Sequence, residues 1–464
     1  MKSKVDLISL DDAIKLNKKE VRSLYRSYVN PGFATLLGML DFDKKFVRAE
    51  GVSVWDEDEA EHLDFLGGFG ALNFGHNHPK INAAVERVSN LPNLLQVSLG
   101  TLTAALGHNL AQITPGNLSR TFFCNSGAEA VEGALKLAKA ASKKKKVVYC
   151  ERSFHGKTMG ALSVTGKNKY QAPFQPLVPC CEPVPFGDTS ALEMKLKEGD
   201  IAAFILEPIQ GEGGVNVPPR GYLSEVRKLC SKYDTYLIVD EIQTGFGRTG
   251  SVFACDYEEV APDIMCVGKS LGGGVMPLAA FTTTEHIWDR AFGGFERCQI
   301  HTSTFGGNAR AMAAGIAAIQ VMLEEDLASQ AKEKGEYLLN GLRMLQEKYP
   351  SFIKEVRGRG LLIGVEFNPL SKGFINKITG GRLNKIAEEY FAALVAAELM
   401  NKYHIITAYT LNNPNVIRFE PPLIISREQL DRLLSALEEI FKTSQSMWGL
   451  VLASSKRVIS SLTS

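Results

Sequence analysis

Between about residues 118 and 285, apolar residues come in short unbroken runs rather than in alternation. The runs are "RTFFC", "KVVYC", "AAFILE", "YLIVD", "IMCVG" and "PLAAFTT". Runs of this kind predict strands buried on both faces. The intervening pattern changes period. From Ala128 to Ala141, Val131, Ala134, Leu135 and Ala138 fall at i, i+3, i+4 and i+7, with lysines opposite, which predicts an amphipathic helix. An α/β fold follows: a large domain with a mostly parallel sheet covered by helices. The C-terminal third differs. "IKEVRGRGLLIGVEF" predicts two strands around a glycine turn, and "KIAEEYFAALVAAELMNKY" a long helix. "VIRFEPPLII" predicts a strand interrupted by Pro421 and Pro422, and "REQLDRLLSALEEIFK" a last helix. This is a smaller α+β domain. The expected division is an N-terminal segment 1–75 packing with the small domain, a large domain 76–330 and a small domain 331–464. The apolar patch "MWGLVLA" in the tail has no assigned role.

Composition narrows the function. The 464 residues are 45% hydrophobic and 22% charged, with a formal net charge of +1. No global field favours nucleic acid or an anionic membrane, so the expected ligand is small. The eight cysteines form no CxxC pair, and the expectation is free thiols in a reducing compartment. The N-terminus lacks an apolar secretory core, and no stretch approaches the ~20 apolar residues of a membrane span. A cytoplasmic enzyme is expected, and no metal is called for.

Candidate chemistry begins at "DIMCVGKSLGGGVMP", where Lys269 follows an apolar run and precedes three glycines. Gly268-Lys269-Ser270 is the tail of a phosphate-binding loop, but the glycine required five positions before the Gly-Lys pair is Asp263. A nucleotide-binding NTPase is therefore the weaker, different-class reading. "GGFGALNFG" (Gly67 to Gly75) lacks the G-x-G-x-x-G order and reads as a turn. A lysine at a strand end has another use, as a nucleophile toward carbonyls. Asp240 ends the run "YLIVD", where an open parallel sheet points at its ligand crevice. A carboxylate there can hold a pyridine nitrogen protonated. Ser126, Gly127 and Ala128 open the predicted helix, and its free N–H groups make an anion site. Phe154 and His155 follow "KVVYC", where an aromatic side chain can lie on a ring. Taken singly, these residues read as an ion pair, an N-cap and core packing. Together they form a phosphate cradle, a ring stacker, a carboxylate and an imine lysine, in that order along the chain.

The set resembles fold-type I enzymes that use pyridoxal 5′-phosphate, and specifically the class-III aminotransferases, or ω-aminotransferases. The motifs that carry the likeness are "GHNHPKI", "NSGAEAVEGALKLA", "FHGKTMGALSVTG", "EPIQGEGGV", "VDEIQTGFGRTG", "GKSLGGGVMP", "STFGGN" and "RFEPPL". Within the class, "YVNPGF", "LGGFG", "CNSGAE", "GGGVMP" and "LNNPNVIRFEPPL" resemble putrescine aminotransferases most closely.

The resemblance implies a role for each matching position. Lys269 would form the imine with the cofactor and then shuttle the proton, and Asp240 would pair with the pyridine nitrogen. Gln243 would hydrogen-bond the ring's phenolic oxygen, Phe154 would stack on the ring and His155 would lie beside it. Ser126, Gly127 and Ala128 would bind the phosphate; the family often has Thr where Ala128 stands, so one hydroxyl donor is missing. Thr304 would reach the phosphate from the other subunit, which implies a homodimer. Arg418 would pair with Glu212 in one half-reaction and bind a substrate carboxylate in the other. "LLQVSLGT" (Leu94 to Thr101) falls where the family draws pocket residues from the neighbouring subunit and does not copy the putrescine pattern closely. The expected activity is ping-pong transfer of the terminal amine of a diamine, or another ω-amine, to 2-oxoglutarate or a similar oxo acid. Acetylornithine- or ornithine-type and secondary-metabolite aldehyde aminotransfer are the same-fold alternatives.

Overall fold

A computed structural model describes residues 7–368 and 391–444. The N-terminal part contributes an antiparallel three-strand meander, β1 (Phe46–Glu50), β2 (Ser53–Asp56) and β3 (Glu61–Asp64). The central sheet is built from β4 (Arg120–Cys124), β5 (Lys146–Cys150), β6 (Cys181–Val184), β7 (Ile201–Leu206), β8 (Tyr236–Asp240), β9 (Ile264–Val267) and β10 (Ala279–Thr283). Their order across the sheet is β4-β10-β9-β8-β7-β5-β6. All six apolar runs form strands. Strands β5 to β9 are parallel, whereas β10, the run "PLAAFTT", lies antiparallel between β4 and β9. Every residue of β7, β9 and β10 is buried, as strands covered on both faces require.

Helix α1 (Gly127–Ser142) fills the interval where the 3.6-residue period was read. It buries Ala130, Val131, Ala134, Leu135 and Ala138, and small side chains let it lie close to the sheet. Helices α2 (Ala309–Glu324) and α3 (Leu327–Lys348) follow, and residue 330 lies inside α3.

The C-terminal unit pairs β11 (Ile353–Arg359) and β12 (Leu362–Phe367) antiparallel around the predicted glycine turn. Helix α4 (Phe391–Tyr403) follows; the start of its predicted sequence lies outside the described residues. Strands β13 (Ile405–Ile406), β14 (Ala408–Tyr409) and β15 (Val416–Phe419) lead to α5 (Arg427–Ser444). Strand β15 stops before Pro421, which has no N–H to donate to a ladder. Strand β13 runs parallel to β3, with Ile405 opposite Leu63, so chain start and chain end share one sheet. The "MWGLVLA" patch lies outside the described residues.

Candidate active site

The parallel strands deliver their chemistry at their carboxyl ends, where an open α/β sheet leaves a crevice. Asp240 is the last residue of β8 and lies opposite Cys266 of β9. Lys269 follows β9 by two residues and opens a 3-10 turn, Lys269–Gly272, rather than a long helix. Its φ of 49° is in the left-handed region, unusual for a residue with a Cβ and found where function fixes the backbone. Among the described residues the Lys269 amine has no hydrogen-bond or ion-pair partner. Burial lowers its proton affinity and Arg418 adds to that, against the opposing pull of Glu420, Glu212 and Asp240. The shift favours the neutral amine, the form that attacks a carbonyl.

Asp240 is buried and held from two sides. The His155 Nδ1 lies 2.7 Å from Oδ2, and the Ile242 N–H donates to Oδ1 at 3.1 Å. A carboxylate only accepts, so the imidazole proton is on Nδ1, and Nε2 is a buried nitrogen without a partner. Asp240 keeps lone pairs for a third donor. Beside it, Glu207 ends the apolar run of β7 and accepts from the backbone N–H of Phe154 at 2.8 Å and of Gly211 at 3.1 Å. Burial pushes the Glu207 carboxyl up to about 7. Ser126 caps α1, its hydroxyl accepting from the Glu129 N–H at 3.3 Å. Gly127 and Ala128 form the first turn. A Cβ on Gly127 would lie 2.8 Å from Ile242, and one on Gly156 would lie 2.8 Å from Ala128, so this helix start abuts both the Asp240 and the His155 segments.

The second half of the site is a chain of buried polar side chains. Arg418 Nη1 donates to Glu212 Oε1 at 2.8 Å. Its Nε lies 3.0 Å from Glu420 Oε2. Gln243 Nε2 donates to both oxygens of Glu420, at 2.9 and 3.0 Å. Arg418 and Glu420 are fully buried, and the Phe69 ring lies 5.4 Å from the guanidinium. Burial raises the Glu212 carboxyl, but Arg418, the Leu411 N–H and Lys269 together more than reverse this, and its net shift is downward. Two glycines make room for the cluster: a Cβ on Gly70 would sit 2.3 Å from Glu420 Oε1, and one on Gly211 would sit 1.7 Å from Gln243 Oε1.

The structure therefore brings Lys269, Asp240, His155, Gln243, Glu212 and Arg418 into one polar cluster, with Phe154 tied to it through Glu207 and the Ser126–Ala128 turn packed against the Ile242 and Gly156 segments. Thr304 is different. It is exposed, and its carbonyl accepts from Gln96 Nε2 at 2.5 Å; among the described residues no hydrogen bond joins it to the cluster. Glu420 and Glu207 were missed as site residues. Glu420 had a signal: it follows Arg418 by two, the spacing that puts two side chains on one face of an extended strand.

A sequence profile of the class-III aminotransferase family matches residues 41–441. The chain belongs to the class-III aminotransferases. Solved structures agree. The ornithine aminotransferase from Toxoplasma gondii ME49 is 31% identical, with a TM-score of 0.82, covering 98% of this chain and 100% of that one. The acetylornithine aminotransferase from Elizabethkingia anophelis is 30% identical, with a TM-score of 0.73, over 91% of this chain and 98% of that one. An amine transaminase from an uncultivated Pseudomonas species is 29% identical, with a TM-score of 0.76, over 86% and 95%. The fold is that of the fold-type I enzymes, and this class-III aminotransferase depends on pyridoxal 5′-phosphate. The residues present fit that cofactor: a lysine amine without a partner, an aspartate with spare lone pairs, an unpaired His155 Nε2 and a helix start with free N–H groups.

Proposed function

We propose that this aminotransferase moves the terminal amine of a diamine, or another ω-amine, to 2-oxoglutarate or a similar oxo acid. The observation that carries the donor class is the buried Glu212–Arg418 pair at 2.8 Å. While that pair holds, the end-on face of the guanidinium is committed to a protein carboxylate, and a donor with no carboxylate beside its reacting amine fits best. When Glu212 lets go, Arg418 offers a planar fork to the acceptor's carboxylate.

Pyridoxal 5′-phosphate, when bound, supplies an aldehyde that captures amines and a ring that spreads the charge left on carbon. The protein's own residues do the rest. The Lys269 Nζ would hold the cofactor between turnovers and would carry the proton from the donor's amine-bearing carbon. Its lowered proton affinity supports that role. Asp240 would accept from the ring nitrogen, with His155 orienting Asp240. Ser126, Gly127 and Ala128 would hold the phosphate, with Thr304 of a second copy of the chain completing the cradle. Phe154 would lie on the ring, and Gln243, whose Nε2 donates to Glu420, would be placed at its phenolic oxygen. The proposal includes a homodimer and a cytoplasmic location, the latter supported by cysteines that are all unpaired.

The test is glutamate formed from 2-oxoglutarate with putrescine, cadaverine or ornithine as donor, on protein supplied with cofactor. Glutamate from a diamine, lost in Lys269→Ala together with the visible absorbance band, is the expected result. No glutamate from any amine overturns the reading.

A further inference from the structure

Arg418 is paired with two carboxylates, and the second has no part in the exchange described above. A guanidinium grips a carboxylate bidentately in two ways: end-on through Nη1 and Nη2, or side-on through Nε and Nη2. In this structure Glu212 takes Nη1 at 2.8 Å, Glu420 Oε2 stands 3.0 Å from Nε, and Nη2 is buried without a partner. Each fork thus has one nitrogen engaged. The Nε contact is one of charge, since its N–H is not aligned for a hydrogen bond. A substrate carboxylate entering side-on would still lie against Glu420 Oε2, negative against negative.

The two glutamates are held differently. Glu420 is enclosed: Gln243 donates to both its oxygens, its N–H donates to the Phe65 carbonyl at 2.8 Å, and Gly67 and Gly70 lie so near that a Cβ on either would meet its carbonyl or carboxylate oxygen at 2.3 Å. The Glu212 backbone carbonyl accepts from the Asn412 N–H at 2.9 Å, but its carboxylate is held, apart from Arg418, by the Leu411 N–H alone among the described residues, at 2.9 Å. Release of Glu212 opens the end-on fork, while the side-on fork stays shut.

We propose that Glu420 is a specificity-determining residue that closes the side-on fork of Arg418 permanently, so that carboxylate-bearing amines are rejected whenever Glu212 is engaged. This rests on the reading of Arg418 as the carboxylate-binding group. A single glutamate on Nη1 would leave Nε and Nη2 open, and an α-amino acid could bind without displacing anything. With both present, discrimination depends on Glu212 alone, and a donor without a carboxylate has the advantage.

The experiment compares wild type, Glu420→Ala and Glu420→Gln, all loaded with cofactor. Two quantities are measured: the amine half-reaction with L-glutamate and with putrescine, followed by absorbance, and the dissociation constant of glutarate, a dicarboxylate with no amine or oxo group, by calorimetry. In Glu420→Ala, glutarate is expected to bind about tenfold tighter, and the L-glutamate to putrescine rate ratio to rise by about tenfold or more. Glu420→Gln keeps the shape, loses the charge and should move both in the same direction by less. Unchanged glutarate binding, with both half-reactions slowed equally, overturns the proposal and leaves Glu420 a structural partner. Failure of wild type to use putrescine overturns the donor reading instead, while the glutarate affinities still decide the role of Glu420.

Discussion

At the scale of single residues, Arg418 is fully buried between two carboxylates and its proton is held more tightly than usual. Burial alone would loosen it, but Glu212 and Glu420 outweigh that. Arg418→Ala leaves two buried carboxylates facing each other, and urea denaturation should show a loss of about 3–5 kcal/mol, the usual cost of removing one partner of a buried pair. Lys269 makes the opposite prediction. Its folded proton affinity is lowered from 10.5, so between the folded value and 10.5 the unfolded chain binds more protons and stability rises with pH. Cofactor-free Lys269→Met should therefore be more stable than cofactor-free wild type at neutral pH. The gap in urea midpoint should close as pH approaches 10.5; a gap independent of pH would count against the buried cation. Much of this was legible in the sequence. Lys269 and Asp240 could be found because each ends an apolar run, and a run's end is visible in one dimension. Glu420 could not be ranked, because its importance comes from Gln243 and Gly70, far away in the chain.

At the scale of elements, the glycine turn Gly67–Gly70 is the floor of the arginine cluster. Gly67 has φ +55°, and a Cβ there would meet the Glu420 carbonyl oxygen at 2.3 Å. Backbone faces backbone, so neither side can yield cheaply. Gly67→Ala should displace Glu420 and lower the thermal midpoint, and the same substitution at Gly199, which has φ +73° but open space around it, should cost only the strain of its conformation. The two melting curves compare the contributions. Strand-level reading succeeded where both faces are apolar, as in Ile201–Leu206. It missed β6, whose sequence Cys-Glu-Pro-Val carries a charge and a proline and lies at the sheet edge, where neither is penalised. The antiparallel direction of β10 was equally invisible, since a residue buried on both faces looks the same whichever way its strand runs.

At the scale of the whole molecule, the apolar surface of the chain is unevenly placed. Leu95, Val97 and Leu99 are exposed, the last two almost completely, and Phe295, Ile300 and Phe305 add to the same class. Leu94, Leu95, Gln96, Ser98 and Leu99, together with Gly306 and Gly307, line an open cavity of about 440 Å³, and Val97 stands exposed in the same segment. Thr304 lies next to this segment through Gln96. The homodimer proposed above would cover these side chains and bring Thr304 to a neighbouring phosphate site. A double substitution, Val97→Glu with Leu99→Glu, should shift sedimentation from dimer to monomer and abolish aminotransfer, since solvated carboxylates cannot be buried unpaired. A dimer that persists with full activity would place the interface elsewhere.

The pairing of Ile405 with Leu63 has a consequence for biosynthesis. During translation the meander β1–β3 leaves the ribosome early, with one edge of β3 waiting for a strand made near the end. Until then that edge is an adhesive seam, the kind that recruits chaperones or neighbouring nascent chains.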